Sequence, residues 1–138
     1  MKLKAILSVL FLAFGLAAFA QQQQPLTPEQ KEAKLYESIE KQLDDLTSKL
    51  ELEDWQVFYA DSILTHDYKA MTAEMEALQG NKVENTDLYV MVQDKWMEQI
   101  YNSLHKIFDE EQWVKYGKMG AARAKKARDK RAAKNAKQ

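Results

Sequence analysis

Cysteine is absent from this chain of 138 residues. Disulfide bridges, thiolate metal sites and cysteine nucleophiles are therefore excluded, so the fold must be stabilised by packing alone. Only four glycines are present, and they form neither a phosphate-binding loop nor the tight turn that surrounds a catalytic serine. The many carboxylates follow patterns typical of solvated helix faces and helix caps. These features indicate a protein that is not an enzyme and that requires no cofactor.

Long apolar runs are also scarce, and the one that stands out lies at the N-terminus. Lys2 and Lys4 precede an uncharged stretch over residues 5–19, and a small-x-small site ending at Ala20 is followed by a polar run from Gln21. This order of features predicts a secretory signal peptide over residues 1–20 that is cleaved after Ala20. An uncleaved membrane anchor is the alternative, but the run is shorter than the roughly 20 apolar residues that a spanning helix needs. We therefore expect a periplasmic protein.

The remaining chain divides into an acidic body and a basic tail. Residues 21–117 contain 9 Lys and Arg against 20 Asp and Glu, a net charge of −11, whereas residues 118–138 contain 9 against Asp129 alone, a net charge of +8. From residue 121 onward no apolar side chain is larger than alanine, so we expect a helical extension that projects into solvent.

A basic tail of this kind is either an interaction segment or only a solubilising extension. The expected partners are an anionic membrane surface or an acidic protein, and export leaves no nucleic acid for it to bind. The tail cations singled out for this role are Arg123, Lys125, Lys126, Arg128, Lys130 and Arg131.

The acidic body is predicted to be helical, because its apolar residues recur at steps of three and four. Residues 21–25 are predicted to form a polar linker. Residues 26–117 are predicted to form an all-α domain, a small helical hairpin or bundle of about four helices, with residues 118–138 as a basic helical C-terminal extension. The predicted core-facing stripes are Leu35, Ile39, Leu43, Leu46 and Leu50 in the first helix, Trp55, Phe58, Tyr59, Ser62, Tyr68, Met71, Met75 and Leu78 in the second, and Leu88, Val92, Trp96, Ile100, Leu104 and Phe108 in the third.

A helix-start pattern occurs three times along the body. Each copy has an apolar residue, a residue able to cap a helix, two further residues and a glutamine. The cap side chain can accept a hydrogen bond from a first-turn N–H while the glutamine reaches back to the cap's own N–H, an arrangement called a capping box. The copies are Leu26, Thr27 and Gln30; Leu52 and Gln56, with Glu53 in the cap position; and Phe108, Asp109 and Gln112.

Together with the predicted export and the cysteine-free helical body, these L-T-x-x-Q-like helix starts resemble the Spy/CpxP family of periplasmic proteins. The resemblance covers about residues 26–117, and the first copy matches the motif in full. It implies a thin helical hairpin that forms a homodimeric cradle and binds unfolded client proteins without ATP, as a chaperone or stress protein. The adaptable side chains expected to contact clients or partners are Met71, Met75, Met91 and Met97, and the alternative for each is a place in the core.

His66 and His105 are the only histidines in the chain. Asp67 follows the first, and Asp109 lies four residues after the second. A zinc site needs three or four such ligands, which would require the second and third helices to pair in one particular register. We therefore predict no metal site and expect both histidines to lie on helix surfaces.

Overall fold

The computed structural model describes residues 25–138, and this part of the chain is all-α, as predicted. Its helices are α1 (Pro28–Leu50), α2 (Asp54–Gly80), α3 (Thr86–Ile107), α4 (Glu110–Tyr116) and α5 (Ala122–Asn135), with a π-helical segment (Gly117–Ala121) between the last two. The predicted signal peptide and all but the last residue of the predicted linker lie outside the described residues. None of the described helices combines the length and the apolar character that a membrane-spanning segment needs.

Short polar motifs begin α1 and α3. At the start of α1 the amide of Thr27 donates to Gln30 Oε1 at 3.0 Å, and the amide of Gln30 donates to Thr27 Oγ1 at 3.2 Å. This is the expected capping box, with Pro28 in the first helical position. Asn85 begins α3 by accepting from the amide of Asp87 at 3.0 Å. Each cap satisfies an N–H that the helix start leaves unpaired.

A short connection turns the chain from α1 into α2. Glu51 adopts a left-handed conformation with φ of 52°, and the amide of Leu52 donates to the carbonyl of Thr47 at 3.2 Å. This bond and the left-handed residue before it form the Schellman motif that commonly ends helices. Since Leu52 is itself buried, the motif carries the chain directly into the core at the start of α2.

Residues 34–138 form one compact unit, and residues 25–33 belong to a second unit. The core of the larger unit combines the stripes of α1 and α3 with part of α2. Ile100, Leu104 and Phe108 are buried as predicted, whereas Leu88, at the other end of the α3 stripe, is 39 % exposed. The predicted stripe of α1 is confirmed, since Leu35 and Leu43 pack against its buried members. The buried apolar residues are Ile39, Leu46, Leu50, Leu52, Ala60, Leu64, Ile100, Leu104 and Phe108.

The face that α2 buries differs from the predicted one. Trp55, Phe58 and Tyr59 were expected to face the core, but they are 50 %, 70 % and 52 % exposed. The buried residues of this helix are Gln56, Ala60, Leu64 and Asp67, which lie at steps of four, four and three. Because α2 pairs with α3, the small side chain of Ala60 allows the two backbones to approach, and the bulky aromatic rings are left on the outer side.

The tail helix α5 packs on α3 and does not project into solvent. Arg128 is only 7 % exposed, and its Nε donates to Glu98 Oε2 at 3.0 Å. Arg131 donates from Nε and Nη2 to the two carboxylate oxygens of Asp94, both at 2.7 Å. The prediction of a solvent-projecting tail is wrong because it considered only apolar side chains. An arginine can bury its aliphatic stem and form charge-assisted hydrogen bonds at the same time.

Candidate functional site

The three helix-start motifs lie in different environments. The first copy matches the pattern in full, yet both of its hydrogen bonds are exposed and Leu26 is 38 % exposed. The second and third copies are internal: Leu52 and Phe108 belong to the core, and Gln56 and Gln112 are buried. The two copies that depart from the pattern are therefore the ones that organise the larger unit.

Gln56 and Gln112, called here the glutamine pair, join the starts of α2 and α4. Gln56 Nε2 donates to Gln112 Oε1 at 2.6 Å, and Gln112 Nε2 donates to Gln56 Oε1 at 3.0 Å. Each Oε1 also accepts from the backbone amide of its own cap residue, Glu53 at 2.9 Å and Asp109 at 3.0 Å. The capping boxes of two helices are thus connected through one reciprocal amide contact.

The glutamine pair also binds the C-terminal ends of α1 and α3. Gln56 Nε2 donates to the carbonyl of Ile107 at 2.8 Å, and Gln112 Nε2 donates to the carbonyl of Leu50 at 3.3 Å. Both amides thereby use their two N–H donors and both acceptor positions. Four helix termini, the starts of α2 and α4 and the ends of α1 and α3, are held together by two side chains.

A cleft of about 530 Å³ opens beside the glutamine pair. Its lining includes Trp55 and six charged residues, which are the lysines Lys106 and Lys115 and the carboxylates Glu51, Glu53, Asp109 and Glu111. Lys115 Nζ lies 3.1 Å from Glu111 Oε1, and the hydrogen bond to this carboxylate raises the pKa of Lys115. The amine therefore stays protonated at neutral pH, so it serves as a cation on the cleft wall and not as a base.

Trp55, Phe58 and Tyr59, called here the aromatic patch, form one contiguous exposed surface on the first two turns of α2. The ring centroids of Trp55 and Tyr59 lie 6.3 Å apart, and those of Phe58 and Tyr59 lie 5.6 Å apart, both pairs edge to face. Trp55 Nε1 donates to Glu53 Oε2 at 2.6 Å, which fixes the indole beside the helix start. Trp55 also lines the cleft, so the patch and the cleft adjoin.

The four methionines predicted to contact clients differ in exposure. Met91 is 53 % exposed, and Met71 and Met75 are half-buried. Met97 packs against the core cluster, which matches the alternative considered for each methionine. Among the four, Met91 offers the most accessible thioether.

The two histidines have separate surroundings. His66 Nδ1 lies 2.8 Å from Asp67 Oδ1, and the same oxygen accepts from Gln99 Nε2 at 3.0 Å. His105 stacks on Trp113 with ring centroids 3.9 Å apart. Over residues 25–138 no group of three or more histidines and carboxylates is arranged to hold a metal ion.

Lys125, Arg128 and Arg131, called here the inner row, connect α5 to the carboxylates of α3. Lys125 Nζ lies 2.7 Å from Glu98 Oε1, and Arg128 binds the other carboxylate oxygen, Oε2. Burial alone would raise the pKa of Glu98, but the hydrogen bonds from Lys125 and Arg128 outweigh it and hold that pKa below its usual range. The Arg128 guanidinium also lies 5.4 Å from the centre of the Tyr101 ring. Half of the tail cations predicted to meet a partner are therefore bound within the protein.

Arg123, Lys126, Lys130 and Lys134, called here the outer row, lie on the other side of α5. All four are exposed, and none of them forms an ion pair with any residue from 25 to 138. Three of these four belong to the predicted set, and Lys134 extends the row by one turn.

Sequence reasoning missed the aromatic patch and the carboxylates Asp94 and Glu98. The sequence does contain a signal for Asp94 and Glu98. The tail cations fall into two rows on opposite sides of a helix, and when one row faces solvent the other needs carboxylate partners within the protein. The aromatic patch had a weaker signal, the alternative stripe of Gln56, Ala60 and Leu64, which contains only one large apolar residue.

Two surfaces of residues 25–138 thus combine exposure with a defined chemistry. The aromatic patch offers apolar contact next to a charged cleft, and the outer row offers four cations in line. Comparison with protein-family models, with curated proteins and with solved structures finds no match to this chain.

Proposed function

We propose that the protein is an exported, non-enzymatic chaperone-like protein that binds unfolded or misfolded client proteins on the aromatic patch. The observation that carries the proposal is the exposure of Trp55, Phe58 and Tyr59, each by half or more, as one cluster. Contiguous apolar patches on small soluble proteins mark interaction sites. The L-T-x-x-Q-like helix starts and the N-terminal segment typical of export favour the same function.

The patch suits weak contact with many different sequences. Aromatic side chains have only two side-chain torsions, so they supply a large contact area at low conformational-entropy cost. The glutamine pair holds the start of α2 in place through Gln56, so the patch keeps its shape when a client leaves. Met91 would add an adaptable thioether contact elsewhere on the surface.

The adjoining cleft extends the apolar surface into a polar one. A client segment whose apolar side chains lie on Phe58 and Tyr59 would bring its backbone N–H and C=O groups towards the carboxylates and the two lysines of the cleft lining. Contacts of both kinds do not depend on a particular side-chain sequence, which is what a general client-binding surface requires. Release would then follow from low affinity and would need no ATP.

An aggregation assay tests this function directly. At a modest molar excess the protein should suppress the light scattering of a reduced or heat-stressed client, and Phe58→Gln with Tyr59→Gln should remove most of that effect. Trp55 is kept in this variant because its indole is bound to the cap residue Glu53. The matched control is Val114→Gln with Leu88→Gln, two apolar residues with 51 % and 39 % exposure that lie outside the patch.

The results of this assay test separately whether the protein is a chaperone and whether the aromatic patch is its client-binding site. Failure of the unmodified protein to protect several unrelated clients would refute the chaperone function. Equal protection by the patch variant and the control would place the client site elsewhere. A second copy of the chain is the competing occupant of the patch, and sedimentation velocity of the patch variant would reveal it as a loss of dimer with no change in client protection.

A further inference from the structure

The two rows of cations divide the surface of α5 into opposite faces. Successive residues of an α-helix are rotated by about 100°, so Arg128 and Lys130 point about 200° apart. The inner row is occupied by the carboxylates of α3, including Glu98. The outer row is spaced at steps of three, four and four residues, which keeps its members on one face.

The outer row is also a straight and regular array. From Arg123 to Lys134 it spans eleven residues, about 16 Å along the helix axis. Alanine is the largest apolar side chain within α5, so this face lacks the groups needed to enter a hydrocarbon layer. Asp129 lies in the same helix, but its carboxylate is 2.6 Å from Lys125 Nζ, a member of the inner row.

We infer that the outer row is a docking surface for anionic phospholipid headgroups. A headgroup layer is continuous and flat, so four cations on a rigid helix can contact it together without any particular register. The docking of the inner row on α3 makes this possible, because it presents the outer row as one ordered face. This surface is distinct from the aromatic patch and does not depend on the client-binding function.

The occupant is chosen on charge and shape. A second copy of the chain offers an acidic body of net charge −11 over residues 21–117, but it could bind the whole row only where its carboxylates stood in register with all four cations. A lipid surface gives a closed arrangement in which each molecule binds independently. Attraction of about 1 kcal/mol for each basic residue near an anionic surface corresponds to about a fivefold gain in affinity per cation.

Vesicle sedimentation with the full chain tests the inference. Vesicles of phosphatidylcholine with and without phosphatidylglycerol are compared at low salt, since the neutral vesicles measure any contribution from the apolar residues 5–19. The unmodified protein should prefer the anionic vesicles, and added salt should weaken that preference. The variant Arg123→Gln, Lys126→Gln, Lys130→Gln should reduce the preference roughly 100-fold.

A charge-matched control separates the row from net charge. Lys31→Gln, Lys34→Gln, Lys41→Gln also removes three exposed cations, and it should retain the preference for anionic vesicles to within a few fold. An equal loss in the control, or an unchanged preference in the outer-row variant, would overturn the inference. Tighter binding to duplex DNA than to anionic vesicles at equal phosphate concentration would also overturn it, as would salt-sensitive self-association in place of vesicle binding.

Discussion

Gln30 and Gln56 occupy the same position of the same motif, yet their surroundings differ. Both accept a hydrogen bond from the amide of their cap residue, at 3.0 Å and 2.9 Å. Gln30 does so at the surface, where water can replace it. Gln56 is 3 % exposed and additionally binds Gln112 and the carbonyl of Ile107, so its removal leaves several buried polar groups without a partner.

Alanine substitution should separate the two glutamines clearly. We expect Gln56→Ala to lower the free energy of unfolding by about 2–4 kcal/mol, because unsatisfied buried groups cost about 1–3 kcal/mol each. Gln30→Ala should cost no more than about 1 kcal/mol, as for other exposed caps. Urea unfolding followed by circular dichroism measures both, and similar losses in the two variants would contradict the role of the glutamine pair.

A double-mutant cycle tests the reciprocal contact itself. Gln56→Leu with Gln112→Leu removes both partners, so no glutamine side chain is left unpaired. The backbone groups that each glutamine binds lose their partner in the single and the double variants alike. The double variant should lose less stability than the two single variants added together, with a coupling of about 0.5–3 kcal/mol. Simple additivity of the two losses would mean that the residues act only through their own helix caps.

Gly117 and Gly120 both lie in the π-helical segment, but only Gly120 has a backbone conformation that requires glycine. Gly117 has helical angles, and a Cβ there would lie 3.5 Å from Ala122 Cβ, an ordinary contact. Gly120 has φ of 112°, a conformation that side-chain-bearing residues rarely adopt. Gly117→Ala should therefore stabilise the protein by about 0.5–1 kcal/mol, whereas Gly120→Ala should destabilise it by about 1–3 kcal/mol. Thermal unfolding measures both shifts, and a stabilising Gly120→Ala would show that the turn into α5 is not needed.

Among the elements, α5 is docked in part by Glu98, which binds two members of the inner row. Glu98→Gln should release α5 in part, and we expect amide hydrogen exchange over residues 122–135 to become about tenfold faster, since hydrogen bonds to charged groups contribute about 1.5–3 kcal/mol. Glu76→Gln, an exposed carboxylate of α2, is the control and should leave this exchange unchanged. Equal exchange in both variants would show that α5 is held by other contacts.

Acid should abolish the contribution of the Glu98 carboxylate to stability. The folded-state pKa of Glu98 lies below its usual range, so the carboxylate adds stability above the ordinary Glu pKa of about 4.3, and this stability is lost as the pH falls through the folded value. The difference in melting temperature between the unmodified protein and Glu98→Gln should thus be full at neutral pH and should shrink below about pH 4. A difference that grows in acid would contradict the assignment.

The sequence predicted the helices well because their starts carry local signals, such as the caps Thr27 and Asp109. It predicted the buried faces of α1 and of the C-terminal part of α3 because their apolar residues form single stripes, whereas Leu88 at the start of α3 is exposed. It failed for α2, whose apolar residues surround the helix, so that the face is chosen by the fit of Ala60 against its neighbours. The docking of α5 was missed for a related reason, since Arg128 is buried by partners 30 residues away.

At the scale of the whole molecule, the tail compensates the charge of the body and covers part of its surface. Residues 121–138 carry eight Lys and Arg and one Asp. Ala124 and Arg128 of α5 line a cavity of about 220 Å³ together with Met97, Tyr101 and Tyr116. Burial raises the pKa of Tyr116 to about 12, which reflects how far this ring is removed from water in the intact molecule.

Truncation after Gly120 should therefore expose an apolar surface and leave a strongly acidic body. We expect the melting temperature to fall by about 5 °C or more, since 1 kcal/mol shifts a domain of this size by several degrees, and we expect stronger binding of an apolar fluorescent dye. Arg123→Gln, Lys126→Gln, Lys130→Gln is the control, because it lowers the net charge but keeps the inner row. If the truncated protein melts like the intact one and binds no more dye, α5 does not stabilise the body. If the control melts as low as the truncated protein, the loss arises from net charge and not from the packing of Arg128 on Glu98.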